Sequence, residues 1–179
     1  MRTALVVALL VAGPALAGET VMKEDAGLRY RIPATWLRVP APSDMRAAQY
    51  RVPVDGQPDA ELVLFFFGKG QGGGADANLE RWYGQFTQPD GRSSRDAAVV
   101  TRRTVGTLKV TLLDLAGTYS ATPMRAGNPG TSVEGSRMLA AVVEGDGGPW
   151  FFRLVGPAAT VGAVKGDFDA LITSLEPHA

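Results

Sequence analysis

Trp150-Phe151-Phe152-Arg153-Leu154-Val155-Gly156-Pro157, followed by a segment whose apolar residues fall at Val161, Val164, Phe168, Leu171, Ile172 and Leu175, decides the fold class of this chain. The first eight residues read as a strand closed by Gly-Pro. The second set keeps helical spacing until Pro177 ends it, which predicts a terminal helix with one apolar face. Just upstream, Met138 to Val143 reads as a partner strand, joined through Gly145-Asp146-Gly147-Gly148-Pro149, a connection of hairpin type. A second pair precedes it: Val99 to Val105 and Leu108 to Tyr119, turning at Gly106-Thr107 and therefore antiparallel.

Further toward the N-terminus, Leu28-Arg29-Tyr30-Arg31-Ile32 alternates apolar and charged residues, as a strand with one buried face should, and Pro33 stops it. Trp36, Pro40 and Pro42 form an irregular connection. Met45 to Val52 reads as a strand ending at Pro53, and Ala60 to Phe67 is a nearly continuous apolar run of the kind covered on both faces. The glycine-rich stretch Gly68 to Gly74 then opens a helix from Asp76 or Asn78 to about Phe86, with Leu79, Trp82, Tyr83 and Phe86 on one stripe. Gln88 to Asp96 reads as a surface loop. Ala121 to Ser136, with two prolines and three glycines, reads as a long loop of a length that is often functional or disordered. The order of strands, helix, four paired strands and terminal helix predicts an α+β domain with two main helices covering an antiparallel sheet.

The chain has 179 residues, with 18 basic and 18 acidic residues in balance, and no cysteine. Residues 1–17 place Arg2 before an apolar run from Ala4 to Ala12 and finish in Ala15-Leu16-Ala17. That pattern predicts a secretory signal peptide cleaved before Gly18, leaving residues 18–179 as one exported domain, periplasmic or extracellular. The run is too short to span a bilayer, and no later segment reaches the necessary length, so no membrane span is expected after cleavage. Without cysteine there are no disulfides, thiol nucleophiles or thiolate metal sites. The charge balance gives no footprint for nucleic acid.

Tyr30-Arg31-Ile32-Pro33 with Trp36, then Gly117-Thr118-Tyr119 closing a strand, then Trp150 to Pro157 before a helix containing Phe168 and Leu171 to Leu175, resemble the PsbP-like fold. That superfamily includes the photosystem subunit PsbP, a nuclear-import factor that binds the GTPase Ran, and exported bacterial domains of the DcrB type. The resemblance spans nearly the whole mature chain and rests on core and turn positions. It implies an α/β/α sandwich and a binding or accessory role more often than catalysis.

Catalytic signatures are weak throughout. Gly68, Gly70 and Gly73 satisfy G-x-G-x-x-G between a strand and a helix, but two strands precede the motif, the later strands pair as hairpins, and the required acidic strand tip is missing. A Walker A reading fails because Lys69 is not followed by Ser or Thr at the right spacing. The single histidine, His178, lies past a helix-ending proline at a terminus expected to fray, and no G-x-S-x-G elbow is present. Asp167 and Asp169 point about 200° apart on a helix; Asp55, Asp59 and Glu61 read as turn residues, and Asp90 to Asp96 lacks the spacing of a calcium loop. No cofactor and no metal are expected. The aromatic set Trp36, Trp82, Tyr83, Tyr119, Trp150, Phe151 and Phe152 reads first as core. Glu80, Arg81 and Gln85 fall off the apolar stripe of the first helix and, with Lys69 and Gly70 of the adjacent loop, form the expected partner-contact set. The sequence thus points to an exported non-catalytic binding or accessory protein whose partner is a protein of the cell envelope. The alternative is a small-molecule or envelope-polymer binder with a pocket between sheet and helix and an unrecognised hydrolase activity.

Overall fold

Eleven strands and four helical segments make up the computed structural model, which describes residues 18–121 and 132–178. The expected signal segment 1–17 and most of the expected long loop lie outside the described residues. Strands β1 (Thr20–Asp25) and β2 (Leu28–Pro33) form a hairpin across Ala26-Gly27, both with positive φ. There follow β3 (Leu37–Arg38), β4 (Arg46–Val54), β5 (Gln57–Phe66), α1 (Ala75–Tyr83), β6 (Phe86–Thr87), α2 (Ser94–Ala97), β7 (Val99–Val105) and β8 (Leu108–Ser120). The chain continues through β9 (Ser132–Glu144), β10 (Trp150–Pro157), α3 (Ala158–Ala163), α4 (Lys165–Thr173) and β11 (Glu176–Pro177). The main sheet runs β3-β4-β5-β10-β9-β8-β6 with β7 also paired to β8; a small sheet runs β1-β2-β11, and the strand pairs of both are antiparallel.

Side-chain alternation on β8, β9 and β10 builds two apolar layers. In register, Trp150 faces Val143, Phe152 faces Ala141 and Leu154 faces Leu139. These side chains share one core with Leu28, Tyr30 and Ile32 of β2 and with Val161, Phe168, Leu171 and Ile172 of α3 and α4. On the other side, Phe151, Met138, Ala140, Val142, Leu113 and Leu115 pack beneath Leu79 and Trp82 of α1 and Phe86. The Phe152 ring meets Tyr30 edge-on, with centroids 5.5 Å apart, a favoured aromatic geometry. Two further bonds lock the first layer: Trp150 Nε1 donates to the Ala26 carbonyl at 2.8 Å, and the buried Thr160 hydroxyl donates to the Pro58 carbonyl at 2.7 Å.

The expected α+β class and the antiparallel hairpins are present, but several boundaries differ for physical reasons. Instead of two main helices there are four segments, of nine, four, six and nine residues, and the small sheet shares the covering of one face. The terminal helix breaks at Val164, between two glycines, Gly162 and Gly166, that weaken helix propagation. Gly84 ends α1 at Tyr83, so Phe86 belongs to a short strand opposite Tyr119 rather than to the helical stripe. Pro53 does not stop β4: a register shift between Val52 and Val54 accommodates it. The surface loop 88–96 ends in α2, capped by Ser93, whose hydroxyl accepts from the Asp96 N–H at 3.1 Å. Ser132 to Ser136, expected in a loop, open the long strand β9.

The two sheets are clasped by a polar cluster. Tyr30 donates to Asp25 Oδ2 at 2.6 Å and lies 3.0 Å from the Tyr50 hydroxyl, while Arg38 of the main sheet pairs with Asp25 Oδ1 at 2.6 Å. Burial pushes both tyrosine hydroxyls above their usual range. The neutral phenols are therefore favoured in the folded state. Their contribution to stability is complete below about pH 10, where the unfolded chain's tyrosines ionise, and is lost as the pH rises above it. We expect urea midpoints to fall steeply between about pH 10 and pH 11, and the Tyr30→Phe, Tyr50→Phe double variant to show a shallower alkaline decline from a lower starting stability. Parallel curves for the two proteins would remove the tyrosines as the cause.

Candidate functional site

The glycine stretch packs against aromatic rings. Gly72 has a φ of +88°, and a Cβ at that position would lie 2.7 Å from both the Phe67 and the Phe151 ring, so only glycine lets the loop lie this close. The loop is held from α1 by one side chain: the Nδ2 group of Asn78 points at the carbonyls of Gly72, Gly73 and Gly74 at 3.1, 3.3 and 2.9 Å. The Oδ1 atom of the same amide accepts from Arg81 at 2.8 Å. On the opposite side, the Gly70 N–H donates to the Gly148 carbonyl at 2.9 Å, tying the loop to the β9–β10 turn.

This arrangement encloses a groove of about 170 Å³ between α1, the end of β5 and the start of β10. Phe65 and Phe67, two residues apart on β5 and its extension, stack with centroids 6.2 Å apart, and Phe67 meets Phe151 at 5.7 Å. Trp82 closes the helix side. Two guanidinium groups border this aromatic surface. Arg153 lies 5.2 Å from the Phe65 ring centre, in cation–π range, and Arg81 reaches in from the helix. Among the described residues, neither is ion-paired to a carboxylate, whereas the neighbouring Arg46 is paired to Glu61 at 3.5 Å. Gln85 also lines the groove. Its Nε2 donates to the Ala121 carbonyl at 3.4 Å, while its buried Oε1 has no partner among the described residues.

The five expected contact residues separate. Arg81 lines the groove. Gln85 lines it too, but from a buried position with 7% exposure, because Gly84 ends α1 and helical phase no longer places the residue on an exposed face. Glu80 turns away to pair with Arg95 at 2.5 Å. Lys69 is exposed outside the groove, and Gly70 serves the loop through its backbone. Phe65, Phe67 and Arg153 were not among the expected contacts, since the run Ala60 to Phe67 reads as covered on both faces. Its end is open, and Phe67 is 39% exposed.

The remaining motifs have structural roles. The glycine fingerprint does not open a parallel βαβ unit, because β6 after α1 pairs antiparallel with β8. His178 is anchored rather than frayed. Its backbone N–H donates to the Gly27 carbonyl at 2.8 Å, and its ring lies between Glu24 and Arg29, each at 2.6 Å. Arg29 can only donate, so Nε2 accepts and Nδ1 carries the proton to Glu24. Among the described residues, no three of histidine, cysteine, aspartate or glutamate are grouped as metal ligands, and no helix is long and apolar enough to cross a membrane.

With sheet order, layers and groove in place, the chain can be set beside known folds. It matches the solution structure of cyanobacterial PsbP from Synechocystis sp. PCC 6803 with a TM-score of 0.57 at 15% identity, covering 95% of this chain and 99% of that one. The fold is PsbP-like. No protein-family model matches the sequence, and no curated protein matches it significantly. At that identity the PsbP-like match speaks for architecture alone.

Asn78 is the residue on which this local geometry turns. Asn78→Ala removes the side-chain donor to the three glycine carbonyls together with the Arg81 acceptor, and leaves the Asn78 backbone N–H on the Gly74 carbonyl. It should cost about 1–3 kcal/mol in urea unfolding and broaden the amide resonances of Gly72 to Gly74. Asn78→Asp keeps the Arg81 contact but sets a carboxylate against carbonyls, and should be at least as destabilising. A wild-type midpoint for Asn78→Asp would refute the amide's role.

Proposed function

We propose that this chain is an exported, non-catalytic binding or accessory protein of the cell envelope, engaging a protein partner through the aromatic groove beside α1. The observation that carries this reading is the pairing of an open ring surface with two guanidiniums, Arg81 and Arg153, that lack carboxylate partners among the described residues. Aromatic and arginine side chains together are the composition of protein contact centres. Export is consistent with where the fold begins. Glu19 accepts from the Ala34 N–H at 2.8 Å and β1 starts at Thr20, so cleavage before Gly18 would leave the hairpin whole. Arrangement of the two helical layers about the sheet as an α/β/α sandwich also belongs to this reading, with α1 on the binding face and α3 and α4 on the other.

The groove lies between sheet and helix, which is also where the alternative places a small-molecule or polymer pocket. The experiment is cross-linked capture from producing cells with residues 18–179, run beside the Arg81→Ala, Arg153→Ala double variant. It is paired with intact-mass analysis of the protein recovered from the envelope fraction. We expect a mass that begins at Gly18 and one enriched envelope protein that the double variant loses. Equal capture by both proteins would overturn the groove as the contact surface, and a thermal upshift with a soluble envelope metabolite would favour the pocket reading instead.

A further inference from the structure

The groove offers three chemically distinct features at once. Its aromatic cleft, with Phe67 and Trp82 on its sides, has a volume of about 170 Å³, room for roughly one large apolar side chain. Its border holds the two guanidiniums with no carboxylate partner among the described residues, a local excess of positive charge on a chain whose net charge is zero. Its lining includes Gln85, only 7% exposed, whose buried Oε1 has no hydrogen donor among the described residues. An unsatisfied buried acceptor costs free energy until a donor arrives, so this atom points to a ligand that brings an N–H.

An apolar side chain, an N–H and a carboxylate share one Cα at the last residue of a peptide chain, in an N-acyl amino acid or in a free amino acid, and the ammonium of the last would be repelled by the two guanidiniums. An internal acidic residue would present its carboxylate on the side chain and leave the cleft unfilled, and an internal aromatic residue would leave the arginines unpaired. Resting on the groove being the contact surface, we propose that it receives the C-terminal residue of a partner protein. The apolar side chain enters between the rings, the terminal carboxylate pairs with Arg81 and Arg153, and the backbone N–H donates to Gln85 Oε1. Capture of a chain terminus by arranged donors is an established mode of peptide recognition. Here the asymmetry is useful: carboxylate pairing to guanidinium gives orientation, and ring burial gives affinity. The Asn78 amide presets Arg81, lowering the ordering cost of that side chain on binding.

The test uses residues 18–179 and four synthetic probes in calorimetry: an N-acetylated tetrapeptide ending in phenylalanine as free acid, its C-terminal amide, the same peptide ending in glycine, and N-acetylphenylalanine. We expect the free acid to bind at least about tenfold more tightly than the amide or the glycine-ended peptide, with shifts of the Trp82 indole and Arg81 side-chain resonances. Arg81→Ala with Arg153→Ala should abolish the acid-over-amide preference while leaving the urea midpoint close to that of wild type. Gln85→Leu should weaken all the phenylalanine probes alike. Tighter binding of N-acetylphenylalanine than of the tetrapeptide would assign the site to a free acylated amino acid and overturn the chain-terminus proposal. Equal affinity of acid and amide, or no binding by any probe, would also overturn it. If the cross-linked partner is still lost by the arginine variant, the contact surface stands and only its occupant is wrong; if capture is unchanged, the surface itself fails.

Discussion

Strand β10 is the constraint on which the rest depends. It lies between β5 and β9 in the middle of the main sheet, and both of its faces are used. Trp150, Phe152 and Leu154 supply one core while Phe151 supplies the other, so the register of one strand sets the position of two layers. A slip by one residue would send three large side chains into the layer built for α1 and leave Tyr30 without its ring partner. Gly156 extends the same constraint, because a Cβ there would come within 2.8 Å of the Ala60 backbone; β5 is drawn so close that only glycine fits.

The two faces are covered unequally. Helices α3 and α4 and the small sheet close the first face over β4, β5 and β10. On the second face α1 is only nine residues long and covers β8, β9 and the start of β10, leaving the end of β5 beside it uncovered. The groove follows from that shortfall. Its rings are members of an apolar layer that continues past the edge of its covering helix, and its arginines stand where the next layer of packing would otherwise begin.

Alternation and helical spacing made the antiparallel hairpins, the α+β class and the PsbP-like resemblance legible, because those signals come from residues that face a core. β1 gives no such signal, for the converse reason: its alternating exposed and half-buried residues include only Val21 and Met22 as apolar members, and the strand is held by backbone pairing to β2. The terminal strand β11 is two exposed residues, Glu176 and Pro177, just after α4 ends at Thr173, and offers no periodic signal. At the groove, Arg81 was legible from helical phase, whereas Gln85 was not, since Gly84 changes the geometry one residue earlier. Phe65 and Phe67 carried a readable cue in their spacing of two, but a continuous apolar run hides which of its faces is open.

Asn78 shows how a loop rich in glycine can still be a fixed wall. Seven residues with high backbone freedom would ordinarily be mobile, and ordering them costs roughly 1–2 kcal/mol each. Several constraints act together here. The Gly72 backbone lies against Phe67 and Phe151, Gly70 is tied to Gly148, and three carbonyls converge on one buried amide. The glycines thus permit a close approach that the asparagine then fixes. Because Asn78 also holds Arg81, the position of one of the groove's two cations is coupled to the packing of its wall through a single side chain. Rearranging the loop would therefore release the arginine as well, so the wall and the charge of this site form one mechanical unit.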